Sequence, residues 1–153
     1  GRNIAIARQH ARSQSLDIEY DTTTAESLLT GDRRYDLVLN MEVVEHVADL
    51  PAFLSACCQL TRPGGVMVIS TINRTLASWV AAIVGAEYIL RWLPRGTHQW
   101  RRFPTPKELE TILDAHGFAV EDRVGVGVNP LNRRFRLHGY LGVNYMLITR
   151  RET

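Results

Sequence analysis

The sequence predicts an α/β fold, a parallel sheet with helices on both faces. Five strand candidates alternate with helical patterns along the chain, and that order generates such a sheet. Two of the candidates, Tyr35 to Met41 and Val66 to Thr71, are apolar, β-branched-rich runs of the sort found in strands buried on both sides. Two helices also announce their own starts, one at Asp49 and one at Thr105.

In chain order, Asn3 to Ala11 reads as a helix and Asp17 to Asp21 as a short first strand. Tyr35 to Met41 follows as the stronger strand. Asp49 can cap a helix that tolerates Pro51 in its first turn, and Phe53, Leu54, Cys57 and Leu60 then share one face at three- and four-residue spacing. Pro63-Gly64-Gly65 reads as its end. Thr105-Pro106-Lys107-Glu108 combines a hydroxyl cap, proline at the first helical position and a glutamate three residues after the cap, which together form a capping box. Leu109, Ile112 and Leu113 supply that helix's buried stripe and Gly117 its left-handed stop, after which Phe118, Val120, Val124, Val126 and Val128 alternate as a strand. Asn129 to Gly142, with Pro130, three arginines and two glycines, reads as a loop, and Asn144 to Arg150 as the last strand.

Composition narrows the function classes. A chain of 153 residues is one ordinary domain, and a formal charge of +2 lacks the concentrated basic face of a nucleic-acid binder. The two cysteines, Cys57 and Cys58, are adjacent, so they suit neither a disulfide framework nor a zinc site and fit a reducing compartment. No run reaches the ~18 apolar residues needed to span a bilayer. Gly1 is not a methionine and the chain opens at once into a helix, so residues 1–153 are expected to be a single, partial domain preceded by further chain.

In open parallel sheets the ligand site lies beyond the carboxyl ends of the strands. The segment after Met41 occupies that position. It reads Glu42-Val43-Val44-Glu45-His46-Val47, and if it turns as a helix, Glu42, Glu45 and His46 share one face at i, i+3 and i+4. Two carboxylates and an imidazole could bind a cation. Two glutamates in a first helical turn are equally explained by the helix dipole, and hard cations prefer oxygen ligands. His46 could instead serve as a general base with no metal, with His98 as a second candidate.

Asn40 to Val47, the Arg62-Pro63-Gly64-Gly65 turn, Ser70-Thr71-Ile72-Asn73-Arg74, Pro94-Arg95-Gly96-Thr97-His98, Asn129-Pro130 and Val143-Asn144-Tyr145-Met146 resemble successive motifs of the 3-demethylubiquinol 3-O-methyltransferase family of ubiquinone biosynthesis. The resemblance covers essentially the whole chain. It implies a Rossmann-like class I methyltransferase sheet that uses S-adenosylmethionine to methylate a polyprenylated catechol. The family's first strand, its Gly-rich loop and the acidic residue ending its second strand have no counterpart here, so the 153-residue chain made alone is expected neither to fold normally nor to bind the cofactor. Of the cofactor contacts, the resemblance carries over Met41, and Thr24 and Ala25 beside the adenine. It also implies a magnesium-type site at Glu42, Glu45 and His46, where a chelated catechol would ionise more easily.

The segment Leu76 to Gln99 is an insertion that a minimal domain of this class does not need. Trp79, Val80, Ile83, Val84, Tyr88 and Ile89 make it broadly apolar, and Arg74, Arg91, Arg95, Arg101 and Arg102 bracket it. An apolar body with an aromatic belt and basic flanks describes a helix lying in a membrane interface; a buried lid or dimer contact fits the apolarity as well. The expected partners are a polyprenylated phenol, a membrane surface reached through residues 76–99 and other proteins of ubiquinone biosynthesis, with no nucleic acid. The expected place is the cytoplasmic side of a bacterial inner membrane or the matrix side of the mitochondrial one. A soluble small-molecule methyltransferase and a non-catalytic scaffold are the competing readings.

Overall fold

The computed structural model describes residues 2–79, 100–128 and 134–153. Five strands form one sheet in the order β1 (Tyr35–Met41), β2 (Thr61–Ile72), β5 (Asn144–Arg151), β3 (Phe118–Val128) and β4 (Phe135–His138). The helices are α1 (Arg2–Ser13), α2 (Ala25–Leu28), α3 (Leu50–Leu60), α4 (Leu76–Ser78) and α5 (Pro106–Asp114), with a 3-10 turn at Trp100–Arg102.

The sheet is mixed, where alternation had predicted a parallel one. Only β1 and β2 run parallel; β5 lies antiparallel to β2 and β3, and β4 lies antiparallel to β3. β3 returns from α5 and leads through β4 into β5 without another described helix, and strands joined without a crossover pair antiparallel.

Both helix-start signals act as the sequence predicts. Asp49 accepts a hydrogen bond from the Ala52 amide at 3.0 Å. Thr105 accepts from the Glu108 amide at 3.3 Å, while the Glu108 carboxylate accepts from the Thr105 amide at 2.7 Å. α5 buries Leu109 and Leu113, and α3 buries Leu54, Cys57 and Cys58. These side chains meet Met67, Ile69, Phe118, Tyr145 and Leu147 of the sheet in one core. Each such apolar side chain stabilises the fold by about 1.5–3 kcal/mol through removal from water. The other sheet face is barer. Leu37, Leu39 and Met41, alternate residues of β1, are 53%, 56% and 44% exposed.

Three local expectations are corrected. Asp17 to Asp21 forms no strand; Leu16 and Ile18 stay half exposed, and an extended segment without a ladder partner is not a strand. The Pro63-Gly64-Gly65 turn does not end α3, which stops at Leu60, but lies within β2. There the register passes from Tyr35 opposite Thr61 to Leu37 opposite Val66, so the extra residues bulge outward. Within the stretch read as a loop, residues 135–138 form β4. Arg134-Phe135-Arg136-Leu137 does alternate, but Phe135 and Leu137 are 74% and 61% exposed, so burial gives the pattern no support. Residues 129–133, with the Asn129-Pro130 motif, lie outside the described residues.

Candidate active site

β1 ends at Met41, and the chain leaves the sheet through a turn. Glu42 adopts φ +54°, a left-handed conformation that costs a non-glycine residue about 1 kcal/mol or more. Ser70 of β2 holds it there twice: the Ser70 carbonyl accepts from the Glu42 amide at 2.9 Å, and the Ser70 hydroxyl donates to Glu42 Oε1 at 2.6 Å. The left-handed residue turns the chain out of the strand at once. Residues 43–46 then form a turn, closed by a 2.9 Å bond from the His46 amide to the Val43 carbonyl. The helical face predicted for Glu42, Glu45 and His46 is therefore not formed.

The three side chains have separate surroundings. Glu42 is exposed. Glu45 is buried, its side chain 2% exposed, and its Oε2 accepts a 2.7 Å bond from the Thr71 hydroxyl. His46 is half exposed, with Nε2 3.9 Å from Glu45 Oε1. Ser70 and Thr71 are consecutive residues of β2, so their side chains leave opposite faces of the sheet. Ser70 lies opposite Met41 on the barer face, and Thr71 lies opposite Tyr145 on the helix-covered face. The two glutamates are thus tied to opposite sides of the sheet's tip. Among the described residues no three His, Cys, Asp or Glu side chains are grouped to hold a metal ion. As placed, Glu42, Glu45 and His46 do not fit a preformed cation site.

The buried groups around this tip are satisfied. Tyr145 donates from its hydroxyl to the Pro104 carbonyl at 2.9 Å, and burial pushes its phenol well above the usual range, so it remains a neutral donor. Asn40 sits between Met67 and Cys57, donating to the Met67 sulfur at 3.4 Å and accepting from the Cys57 thiol at 3.8 Å. Burial also pushes the Cys57 thiol up to about 11 and Cys58 to about 12, which keeps both protonated.

Of the residues assigned to the cofactor, Thr24 and Ala25 share one cleft and Met41 does not line it. Thr24 caps α2 by accepting from the Ser27 amide, and with Ala25, Leu37, Val38 and Asn40 it lines a cleft of about 260 Å³ along the free edge of β1. Mostly apolar walls with a few polar groups suit a flat heteroaromatic ring. Met41 stands at the strand end outside that lining. A wider cleft of about 530 Å³ lies beside α1, among Arg8, Arg12, Glu19, Asp21 and Arg33, away from the Glu45–His46 turn. His98 lies outside the described residues. Ser70 and Thr71 went unassigned by sequence reasoning; their roles appear only once the register of β1 against β2 is known.

Residues 3–122 match the family model described as a methyltransferase domain. The chain belongs to the methyltransferase-domain family. Proteins named ubiquinone biosynthesis O-methyltransferase share much of its sequence. That of Sinorhizobium fredii is 49% identical over 150 residues, 98% of this chain and 60% of its own length. That of Brucella anthropi is 49% identical over 149 residues, 97% of this chain and 60% of its own. This methyltransferase domain therefore spans about three fifths of the length of the relatives it matches. Among solved structures, an S-adenosylmethionine-dependent methyltransferase from Thermotoga maritima, described as a possible histamine N-methyltransferase, superimposes with TM-score 0.62 at 17% identity, over 95% of this chain and 68% of the other. One from Clostridium acetobutylicum gives 0.59 at 12% identity, over 96% and 70%. At such identities the likeness establishes the class I methyltransferase sheet and leaves the substrate to the site.

Proposed function

We propose that the full-length protein transfers the methyl group of S-adenosylmethionine to a phenolic oxygen of a polyprenylated catechol in ubiquinone biosynthesis. The observation that carries this reading is 49% identity, across nearly the whole chain, to proteins named for O-methylation in that pathway. The site supports it. An exposed imidazole beside a buried carboxylate stands just past the carboxyl end of β1, the position at which open α/β sheets bind ligands.

When bound, S-adenosylmethionine supplies an electrophilic methyl group on a sulfonium. The chain's own task is to align the acceptor and remove its proton, because a phenol with a pKa near ~10 is mostly protonated at neutral pH. His46 is the base in this reading, exposed enough to meet a phenolic hydroxyl and 3.9 Å from the Glu45 carboxylate. Thr24 and Ala25 would hold the adenine in the cleft beside β1, and Met41 would contact the cofactor from the strand end. A divalent cation at Glu42, Glu45 and His46 is a finer part of the proposal. The two glutamates are tied to hydroxyls on opposite sides of β2, so a cation would have to draw these donors together. Calorimetric titration of the full-length protein with magnesium chloride tests that part: saturable binding lost in Glu42→Ala supports it, and no heat of binding removes it.

The substrate tail places the protein at a lipid surface. Among the described residues no helix is long and apolar enough to cross a membrane. Leu76 and Trp79, where the insertion begins, are 75% and 42% exposed, and Trp100 and Tyr140 add exposed aromatic surface. The rest of the insertion, residues 80–99, lies outside the described residues. Two measurements test the proposal. Full-length protein supplied with a polyprenylated catechol should form its methyl ether; failure to do so, with intact S-adenosylmethionine binding, would overturn the substrate. It should also float with liposomes, and Trp79→Ser combined with Ile83→Ser should weaken flotation; unchanged flotation would remove the interfacial role of this segment.

A further inference from the structure

The family resemblance gathers Glu42, Glu45 and His46 around one cation, yet the fold holds the three in unequal ways. Two of them stand ready. Glu45 Oε1 and His46 Nε2 are 3.9 Å apart, too far for a hydrogen bond but close enough to share one ion with ligand bonds of about 2.1 Å. Glu42 is the outlier. Its Oε1 accepts the Ser70 hydroxyl at 2.6 Å, whereas Glu45 Oε2 accepts the Thr71 hydroxyl at 2.7 Å on the other side of β2. The two bonds also differ in setting. Glu42 is exposed, so its carboxylate can leave Ser70 and remain in water. Glu45 and Thr71 are 4% and 0% exposed, and parting them would strand a carboxylate and a hydroxyl without partners.

We infer that Ser70 is a latch and Thr71 an anchor: the Ser70 hydroxyl holds Glu42 away from Glu45 and His46, and a divalent cation is bound by drawing Glu42 off Ser70 while Glu45 stays on Thr71. The inference rests on the cation of the proposed reading and deepens it. Two adjacent hydroxyls of β2 then act with opposite sign. Ser70 competes with the ion for Glu42, and Thr71 is a positioning residue that aims Glu45, as hydrogen-bonded outer partners aim ligating carboxylates. The turn itself survives the exchange. Glu42 is also held at φ +54° by the 2.9 Å bond from its amide to the Ser70 carbonyl, and no side-chain atom takes part in that bond. Only side-chain torsions of Glu42 have to change. The anchor also accounts for a threonine standing fully buried at the tip of β2, opposite Tyr145, where an apolar residue would pack equally well.

The test titrates manganese(II) chloride, a carboxylate-seeking stand-in for magnesium, into the full-length protein and counts the free ion by electron paramagnetic resonance. Ser70→Ala removes the competing hydroxyl and keeps the backbone bond to Glu42. It should bind the ion about threefold to tenfold more tightly, the weight of one hydrogen bond. Thr71→Val keeps the shape and removes the anchor, so it should bind about tenfold or more weakly, and Thr71→Ser should restore most of the affinity. Thr149→Val controls for burial alone, because Thr149 is equally buried on the same sheet face and donates to the Met67 carbonyl at 2.9 Å; it should melt earlier yet bind manganese as the unsubstituted protein does. Where Thr71→Val does not fold, Ser70→Ala decides alone. Unchanged or weaker binding in Ser70→Ala would overturn the latch. Unchanged binding in folded Thr71→Val, no rescue by serine, or an equal loss in Thr149→Val would overturn the anchor. Absence of saturable manganese binding in the unsubstituted protein would instead remove the cation and this inference with it, while formation of the methyl ether judges the methyl-transfer reading separately.

Discussion

Glu45→Ala in the full-length protein should reduce catechol methylation by about a hundredfold or more, the scale on which general-base machinery contributes, while S-adenosylmethionine binds almost as before. The split follows from position. Glu45 is held by Thr71 of β2 with His46 beside it, and none of the three lines the cleft assigned to the adenine along β1. Glu42→Ala is the informative partner. Its carboxylate belongs to the other side of β2, so if base catalysis dominates, its loss should cost markedly less than that of Glu45. Radiometric methyl transfer with calorimetric cofactor binding measures both, and undiminished turnover in Glu45→Ala would end the catalytic assignment. Removing Glu45 also strips the buried Thr71 hydroxyl of its acceptor, which costs about 1–3 kcal/mol, so thermal melts must accompany the rates.

Gly65→Ala should destabilise the full-length protein by about 1–3 kcal/mol, the scale of forced overpacking in a well-packed region. A Cβ there would stand 2.8 Å from the Arg62 carbonyl oxygen, 2.9 Å from Thr61 Cγ2 and 3.1 Å from the Asp36 carbonyl oxygen. Two of the three neighbours are backbone, and the bulge that brings them close is fixed by pairing with β1 on both sides. The clash cannot be relieved by turning a side chain. Gly64→Ala, at φ +74° but with nothing nearer than 3.8 Å, isolates the smaller conformational cost of about 1 kcal/mol. Denaturant titration compares them, and an unchanged midpoint for Gly65→Ala would contradict the packing of the bulge.

These two sites show where the sequence was legible. The caps at Asp49 and Thr105 act within three or four residues of themselves, so local chemistry suffices to find them. The apolar run of β1 reads as a strand for the same reason. Glu42 was placed on a helix because nothing within its own segment reveals that Ser70, 28 residues away, pulls it into a left-handed turn. Pro63-Gly64-Gly65 looked like a terminator because its signals are those of a turn; only pairing across to β1 converts them into a bulge. Glu45 and His46 are neighbours in the chain and remain neighbours in the fold. The hydroxyls that hold the carboxylates, like the antiparallel return of β5, depend on register between strands distant in sequence and carry no local signature.

The adjacent thiols in α3 offer a practical gauge of folding. Buried beneath the sheet and held in the protonated form up to about 11 for Cys57 and about 12 for Cys58, they offer almost no thiolate to a chromogenic disulfide reagent at neutral pH. Labelling should therefore track the opening of this core, accelerating when denaturant releases the helix and slowing when a bound ligand stabilises it. Because their folded-state values exceed the ordinary 9.0, the stability they contribute is complete below that pH and drains away as alkalinity climbs toward 11 and 12. Rapid modification of both cysteines in undenatured protein at neutral pH would show that this core breathes far more than its packing implies.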